Sequence, residues 1–126
     1  PAWSITIAAR GAVFANPGAC YRSNVSYHPA LKRYLWYQTG PGDGPRYTGG
    51  LSTYDAPEPW GPFTLVHHED PWESMELNPY NPRLPLKWFD QERLEGWLLF
   101  SGSWRQAGQT PTYRAHIRKF RLQAVS

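Results

Sequence analysis

Prolines and glycines interrupt this chain so often that a long helix is not expected anywhere in it. The 126 residues include 13 prolines and 11 glycines. Proline removes a backbone hydrogen-bond donor, and glycine loses much conformational entropy when a helix forms. The runs between these residues are short and rich in aromatic and β-branched side chains, which is typical of strands. With 7 Trp, 8 Tyr and 5 Phe, the composition also differs from that of a disordered tail.

These runs predict an all-β chain of at most one domain. Strands are predicted at residues 3–9, 32–38, 51–55, 63–69, 84–89, 96–101 and 113–125, with a kinked strand within 12–21. Turns are predicted at 24–31, 56–62 and 90–95. The longer segments 39–50, 70–83 and 103–112 are predicted to be loops.

The order of these predicted elements repeats along the chain. Residues 29–37 and 90–100 each contain a polar turn followed by an aromatic and aliphatic strand. Successive four-stranded sheets of about 40–50 residues, each stacked on its neighbours, are typical of a β-propeller. One eight-stranded sandwich or barrel fits the same strand count. Of the two, we predict the propeller, as a fragment of about two four-stranded antiparallel blades.

The propeller prediction divides the chain into three parts. Residues 1–10 supply the outer strand of a preceding blade, residues 11–70 form one blade, and residues 80–126 form the last, partial blade. Because a closed propeller has about 4–8 blades, we interpret the chain as a single C-terminal fragment that lacks its N-terminal blades. It begins at Pro1 without a methionine or a signal-type segment, so the start of the sequence says little about location.

Two motifs resemble a known family. The sequence YDAPEPWGPFT at residues 54–64 resembles the turn between the outer strands of a blade in sialidase-like and arabinanase-like five-bladed propellers, although Phe63 stands where Trp is usual. The sequence YNPRLPLKWF at 80–89, followed by WLLFSG at 97–102, is similar to a strand pair in the last blade of that family. The resemblance covers roughly residues 12–125.

That resemblance implies a carbohydrate-active protein. It implies a glycoside-hydrolase-like activity on cell-wall or extracellular polysaccharide, in a secreted or cell-envelope location. The alternative is a non-catalytic propeller that binds carbohydrate or protein. The catalytic carboxylates of such propellers are spread over several blades, and most of those blades are not in this sequence.

In a propeller of this kind, the three long loops share the ligand-binding face, where function is commonly found. The segment 69–76 contains four carboxylates and Trp72. Glycosidases use one carboxyl group as an acid and a second as a base or nucleophile, so we predict Asp70 and Glu73 as the catalytic pair. A solvated acidic loop, with Trp72 packed against the blade, is the alternative interpretation.

Aromatic rings and arginines of the same loops are predicted to contact the substrate. Aromatic rings pack on the apolar face of a sugar, and the planar guanidinium fork of arginine suits the carboxylate of an acidic sugar. The arginines equally fit ordinary surface charge, or partners for the acidic loop. The predicted substrate-binding residues are Trp72, Tyr80, Arg83, Arg46, Tyr47 and Trp104.

Other partners are not predicted. The formal charge is +3, and the one basic cluster, at residues 114–121, is interpreted as the solvent face of a strand and not as a nucleic-acid site. His67 and His68 are adjacent and point to opposite faces of a strand. No Cys/His cluster indicates a metal site, so we predict no metal and no cofactor. No apolar stretch approaches the ~20 residues of a membrane helix.

Asp55 is assigned to turn chemistry, with its side chain bonded to nearby backbone. Lys87 is interpreted as a strand residue whose stem packs near Trp88.

Overall fold

The structure is a computed structural model that describes residues 5–9, 11–15, 22–40, 50–70, 72, 77–104 and 112–123. The strands are β1 (Ser23–His28), β2 (Arg33–Thr39), β3 (Leu51–Ala56), β4 (Thr64–Glu69), β5 (Leu77–Arg83), β6 (Glu95–Trp104) and β7 (Thr112–Arg121). Short 3-10 helices occur at Ile7–Ala9 and Leu86–Trp88. Within the described ranges, no helix has the length and apolar character needed to cross a membrane.

The strands form two antiparallel sheets in which neighbours along the chain are also neighbours in space. The first sheet has the order β1-β2-β3-β4, and the second has the order β5-β6-β7. The pairing is regular except for a register shift at Thr53/Tyr54 and another between Tyr80 and Arg83. The predicted all-β class with antiparallel sheets is confirmed. The sheets are open and do not close into a ring, and their membership of a propeller stays a prediction.

The two sheets stack in the same orientation. β5 lies against β1 and β2, and the Arg22 guanidinium lies over the Tyr80 ring while Arg83 donates a hydrogen bond to Asn24. β1 and β5 therefore start at the same edge of the stack and run in the same direction. The turns before β2 and β6 also match, because each ends on a left-handed residue, Lys32 with φ 51° and Leu94 with φ 54°.

The core lies between the two sheets. Strand side chains alternate between two faces, and the faces that meet are here called the inner faces. Leu35 and Tyr37 of β2 pack there with Leu98 and Phe100 of β6. Each is 5% exposed or less. Burial of such side chains is the main contribution that holds the sheets together.

The opposite faces, here called the outer faces, differ between the sheets. On the first sheet, Phe14 packs against Trp36 and Tyr54, with ring centroids 5.3 and 4.6 Å apart, and Phe63 packs edge-on against Trp36. On the second sheet, Ile117 is 57% exposed and Trp97 is 40% exposed. The first sheet is thus covered on both faces over its central strands, whereas the second sheet is covered on its inner face and exposes Trp97 and Ile117 on its outer face.

Two strands replace predicted turn or loop. β1 overlaps the predicted turn 24–31 over residues 24–28, and β5 lies within the predicted loop 70–83. β1 is polar, yet it pairs along its whole length with β2, so backbone hydrogen bonds define it more than side-chain pattern does. β5 contains two prolines: Pro79 pairs in register with Gly102, and Pro82 lies in a bulge with Asn81 at φ 57°.

Two predicted strands are wrong, because no described residue of 3–9 or of 84–89 lies in a strand. In the predicted strand 84–89, Leu86–Trp88 form a 3-10 helix after Pro85, with Lys87 exposed. In the predicted strand 3–9, Ile7–Ala9 form a 3-10 helix, and residues 3 and 4 lie outside the described residues. The division of the chain into blades is not tested by these differences.

Candidate functional site

The strand ends that flank the three long loops lie at one edge of the stack, here called the loop edge. In the first sheet, Thr39 faces Leu51 and Leu51 faces Glu69 at this edge. In the second sheet, Leu77 faces Trp104 and Trp104 faces Thr112. The short turns at 29–32, 57–63 and 91–94 lie at the opposite edge, here called the turn edge. The strand pairing therefore brings together the loop ends that the sequence analysis grouped.

Asp70 lies at the loop edge, directly after β4. Its side chain is exposed and covers Gly50, which precedes β3. A Cβ at position 50 would come within 2.9 Å of Asp70 Cγ, a distance that real Cβ contacts do not show. The carboxylate can therefore lie against this backbone because position 50 is glycine. Asp70 is accessible to a ligand that arrives from solvent.

Trp72 is buried instead of being presented to solvent. Its side chain is 7% exposed, and its ring meets Phe100 edge-on with centroids 5.0 Å apart. It also lines the inner end of a cleft between the sheets, described below. Packing alone accounts for the position of the Trp72 side chain, as in the alternative interpretation of this loop.

Tyr80, in the middle of β5, and Arg83, its last residue, lie where β5 meets the start of β1. The Arg22 guanidinium carbon is 4.0 Å from the centroid of the half-buried Tyr80 ring, a cation–π distance. Arg83 is exposed and donates a hydrogen bond to Asn24 Oδ1. We call these four residues the junction cluster. It presents two guanidinium groups, an amide and a phenol within a small area.

The remaining predicted site residues cannot be placed. Glu73, Arg46 and Tyr47 lie outside the described residues, and so does the side chain of Trp104, whose backbone ends β6. The structure therefore brings Tyr80 and Arg83 together with Arg22 and Asn24 beside the start of β1, whereas Asp70 follows β4 on the other side of the first sheet. Arg22 and Asn24 were not predicted, because they are more than 50 residues from Tyr80 and Arg83 in the chain and no local motif contains them.

A second site that the sequence did not indicate is a cleft of about 710 Å³ between the inner faces. Leu35, Leu51 and Leu98 are among its apolar lining residues, and Arg33 and Asp55 lie at its rim. The Arg33 Nε atom donates to Asp55 Oδ2 at 2.8 Å. The assignment of Asp55 to turn chemistry is therefore wrong, because Asp55 is in β3 and pairs across the sheet with Arg33.

A buried polar pair lies in the core beside β5. His28 is fully buried, and burial lowers the pKa of its imidazole to about 4. The Tyr37 hydroxyl is 3.4 Å from His28 Nε2, and burial raises the pKa of that hydroxyl. His28 Nδ1 has no partner among the described residues. The ring is therefore neutral at physiological pH and acts in packing, with Phe89 edge-on at 4.9 Å.

The histidines of β4 behave as the alternation predicts. His68 Nδ1 and the Ser52 hydroxyl are 2.9 Å apart, whereas His67 lies beside Glu69, with His67 Nε2 3.7 Å from the Glu69 carboxylate. They belong to opposite faces of the strand. Among the described residues, no group of three or more His, Cys, Asp or Glu side chains could hold a metal ion.

Comparisons with protein-family models, with curated proteins and with solved structures returned no match to this chain. The resemblance to five-bladed propellers therefore rests on the two sequence motifs alone.

Proposed function

We propose that this chain is part of a carbohydrate-active β-propeller and that it binds a glycan at the loop edge. The observation that carries the proposal is the junction cluster. Arg22 stacked on Tyr80 and Arg83 paired with Asn24 form a polar, partly aromatic surface beside the start of β1, and the accessible carboxylate of Asp70 follows β4 on the other side of the same sheet. Such a surface can pack on a sugar ring and hydrogen-bond its hydroxyls.

The two arginines favour a glycan that contains acidic sugars. A guanidinium group binds a carboxylate through two parallel hydrogen bonds. Arg22, directly before β1, and Arg83, the last residue of β5, come from neighbouring parts of the two sheets, so one acidic sugar could contact both. Asp70, which carries the opposite charge, follows β4 at the other side of the first sheet. A polysaccharide of uronic acids, or a sialylated glycan, is therefore the class to test first.

The relation between the two sheets supports the propeller part of the proposal. Adjacent blades are related by rotation, so corresponding faces point in the same direction. If the matched turns align Lys32 with Leu94, then Leu35 on an inner face corresponds to Trp97 on an outer face. A further sheet packed on Trp97 and Ile117 would repeat the contact between the first two. A self-contained sandwich would instead leave those two side chains exposed.

Glycoside hydrolysis is the activity proposed for the complete protein, and glycan binding without turnover is its alternative. Hydrolysis needs two carboxyl groups about 5–9.5 Å apart. Asp70 is one candidate, and Glu73, the other, lies outside the described residues. Both forms imply an extracellular or cell-envelope location.

The binding test uses the full chain and an array of neutral, uronate-containing and sialylated oligosaccharides. We expect saturable binding of acidic members, weakened about tenfold by Tyr80→Ala and by Arg83→Ala. The matched controls are Tyr27→Ala, on an exposed tyrosine of β1 whose ring lies tilted against that of Tyr34, and Arg93→Ala, at the turn edge. Equal effects of site and control variants, or no binding by any member, would contradict the proposal.

The activity test follows release of reducing sugar from arabinan-type and sialylated substrates. Turnover that Asp70→Asn and Glu73→Gln abolish, with binding retained, supports hydrolysis. Saturable binding with no product supports the non-catalytic alternative. Activity that both variants leave unchanged would remove these carboxylates from the mechanism.

A further inference from the structure

The second sheet ends at an open strand. β7 pairs with β6 along ten residues, Thr112–Arg121, and its other edge has no partner strand among the described residues. At the corresponding position after β3, the first sheet has a fourth strand, β4. An open edge presents a row of backbone N–H and C=O groups and is a template for another extended segment.

The cleft between the sheets lies beside this edge. Its walls include β3 and β4 of the first sheet and the end of β7, with Val66 and Phe120 among the lining residues. Val66 is 55% exposed. Neighbouring strands lie about 4.8 Å apart and packed sheets about 10 Å apart. A strand added to β7 would therefore lie opposite β4 and place alternate side chains in the cleft.

The charges around this edge favour an acidic occupant. The cleft lining includes Arg118, Lys119 and Arg121 of β7. Among the lining residues the one carboxylate is Asp55, which pairs with Arg33, while Lys119 pairs with Glu95 outside the cleft. A second copy of β7 would bring the same cations against these, and like charges on facing strands are destabilising. A partner strand with carboxylates on one face would instead be attracted to the cations of β7.

We propose that β7 is a docking edge for an extended acidic segment of a partner protein, in which apolar and acidic residues alternate. The segment adds to the sheet as a fourth strand. Its backbone completes the open ladder and its apolar side chains enter the cleft, while its carboxylates lie on the other face, beside Lys119 and Arg121, which pair with Trp97 and Glu95 of the outer face. This inference does not depend on the glycan proposal, because the loop edge and the open edge of β7 are different surfaces.

The probe is a fluorescein-labelled ten-residue peptide of alternating valine and glutamate, titrated against the full chain by fluorescence anisotropy. We expect saturable binding that weakens with added salt, and none for the alternating valine and lysine peptide. Equal binding of the two peptides, or binding of neither, would overturn the proposal.

Backbone pairing is tested with two N-methylated forms of the acidic peptide, methylated on all valine or on all glutamate nitrogens. An added strand directs alternate N–H groups toward its neighbour. One form should therefore bind at least about tenfold more weakly, while the other binds within about twofold of the parent. Equal affinities would mean that charge or apolar contact alone holds the peptide, and would overturn the proposal. This comparison needs no variant of the protein.

A charge reversal locates the site. Arg121→Glu, on exposed β7 surface, should weaken binding of the acidic peptide about fivefold or more. Lys87→Glu is the matched control, because Lys87 is exposed on the 3-10 helix, which is not part of the open edge, and undergoes the same change of charge. It should change the affinity less than about twofold. Equal losses in the two variants would overturn the proposal.

Hydrogen exchange distinguishes the other possible occupants. In the free chain, the outward amides of β7 should exchange rapidly and become protected when the acidic peptide is added. Protection in the free chain at every concentration would mean that the chain itself covers this edge. Protection that grows with protein concentration would mean that a second copy does. Either result would overturn the proposal.

Discussion

The two sheets share one plan and differ in how their faces are covered. In the first sheet, β2 is buried or half-buried throughout, because the second sheet covers its inner face and Phe14 and Phe63 cover Trp36 on its outer face. In the second sheet, Leu98 and Phe100 are buried on the inner face, whereas Ile117 is exposed on the outer face. One sheet thus packs on two sides and the other on one.

This difference separates the inner faces, whose contacts stabilise the fold, from the outer face of the second sheet, which is exposed and available for other contacts. Contacts between the inner faces involve long-range partners and should dominate the free energy of unfolding. On the outer face of the second sheet, cross-strand pairs such as Glu95 with Lys119 supply smaller contributions. The predictions below therefore contrast a buried residue with a matched residue that is exposed.

The largest expected effect is for Phe100→Ala. Phe100 is 2% exposed and packs against both Trp72 and His116, so its loss should destabilise the chain by about 3–5 kcal/mol. Ile117→Ala, on the outer face of the same sheet, should cost less than about 1 kcal/mol. Urea unfolding measures both. A similarly large loss at Ile117 would show that another segment covers the outer face and that the two sheets do not differ.

The next effect is a pH dependence from His28. The folded pKa of about 4 lies below the ordinary value of 6.5, so the unfolded chain binds more protons between these values. The contribution of His28 to the free energy of unfolding is fully present above pH 6.5. It is lost as the pH is lowered toward 4, and the loss is about 3 kcal/mol at most. Urea unfolding across this range should show the loss in the wild type and not in His28→Gln. His67→Gln, at an exposed histidine, should keep the same pH dependence as the wild type. If this variant also lost the pH dependence, His28 would not be its source.

A smaller effect should come from added methyl groups at two glycines. A Cβ at position 96 would lie 2.6 Å from Phe89 Cδ2 and 3.0 Å from a Phe120 ring atom. Because Phe89 is buried, Gly96→Ala should cost about 1–3 kcal/mol. At position 50 the methyl group would meet the exposed Asp70 side chain, which can move away, so Gly50→Ala should cost less. Thermal unfolding ranks the two, and the reverse order would contradict the packing argument.

The smallest effect should come from the ion pair at the cleft rim. Arg33 and Asp55 are partly exposed, so a double-mutant cycle with Arg33→Gln and Asp55→Asn should give a coupling of about 1 kcal/mol or less. The Lys119 and Glu95 pair on the outer face should give a smaller coupling. Added salt should weaken both. A larger coupling on the outer face would indicate that this face is shielded from water.

The sequence predicts strands well where side-chain pattern and backbone pairing agree. β2, β3, β4, β6 and β7 carry aromatic, aliphatic or alternating residues, and their positions are confirmed within a few residues, β6 extending farther than predicted. β1 and β5 were missed because serine, asparagine and proline are typical of turns, while their strand character comes from pairing with β2 and β6. Leu86–Trp88 carried a strand-like pattern, yet they form a 3-10 helix after Pro85.

The candidate site was predictable only in part. Asp70 and the three loops could be grouped from strand order, because antiparallel strands return alternately to each edge. Arg22 and Asn24 could not, since their proximity to Tyr80 and Arg83 depends on how β5 lies against β1. Burial of Trp72 also depends on the second sheet. Residues joined by contacts between sheets have no signature in local sequence.

The number of strands in each sheet has a topological consequence. An antiparallel meander with an even number of strands brings the chain back to the edge where it entered, so the first sheet receives and releases the chain at the loop edge. The second sheet has three strands among the described residues, and this odd number delivers the chain at the turn edge, where the Leu122 backbone N–H donates to Leu94 O. Tandem duplication of the first unit would preserve all connections on one side, whereas duplication of the second would require a segment crossing the full height of the molecule.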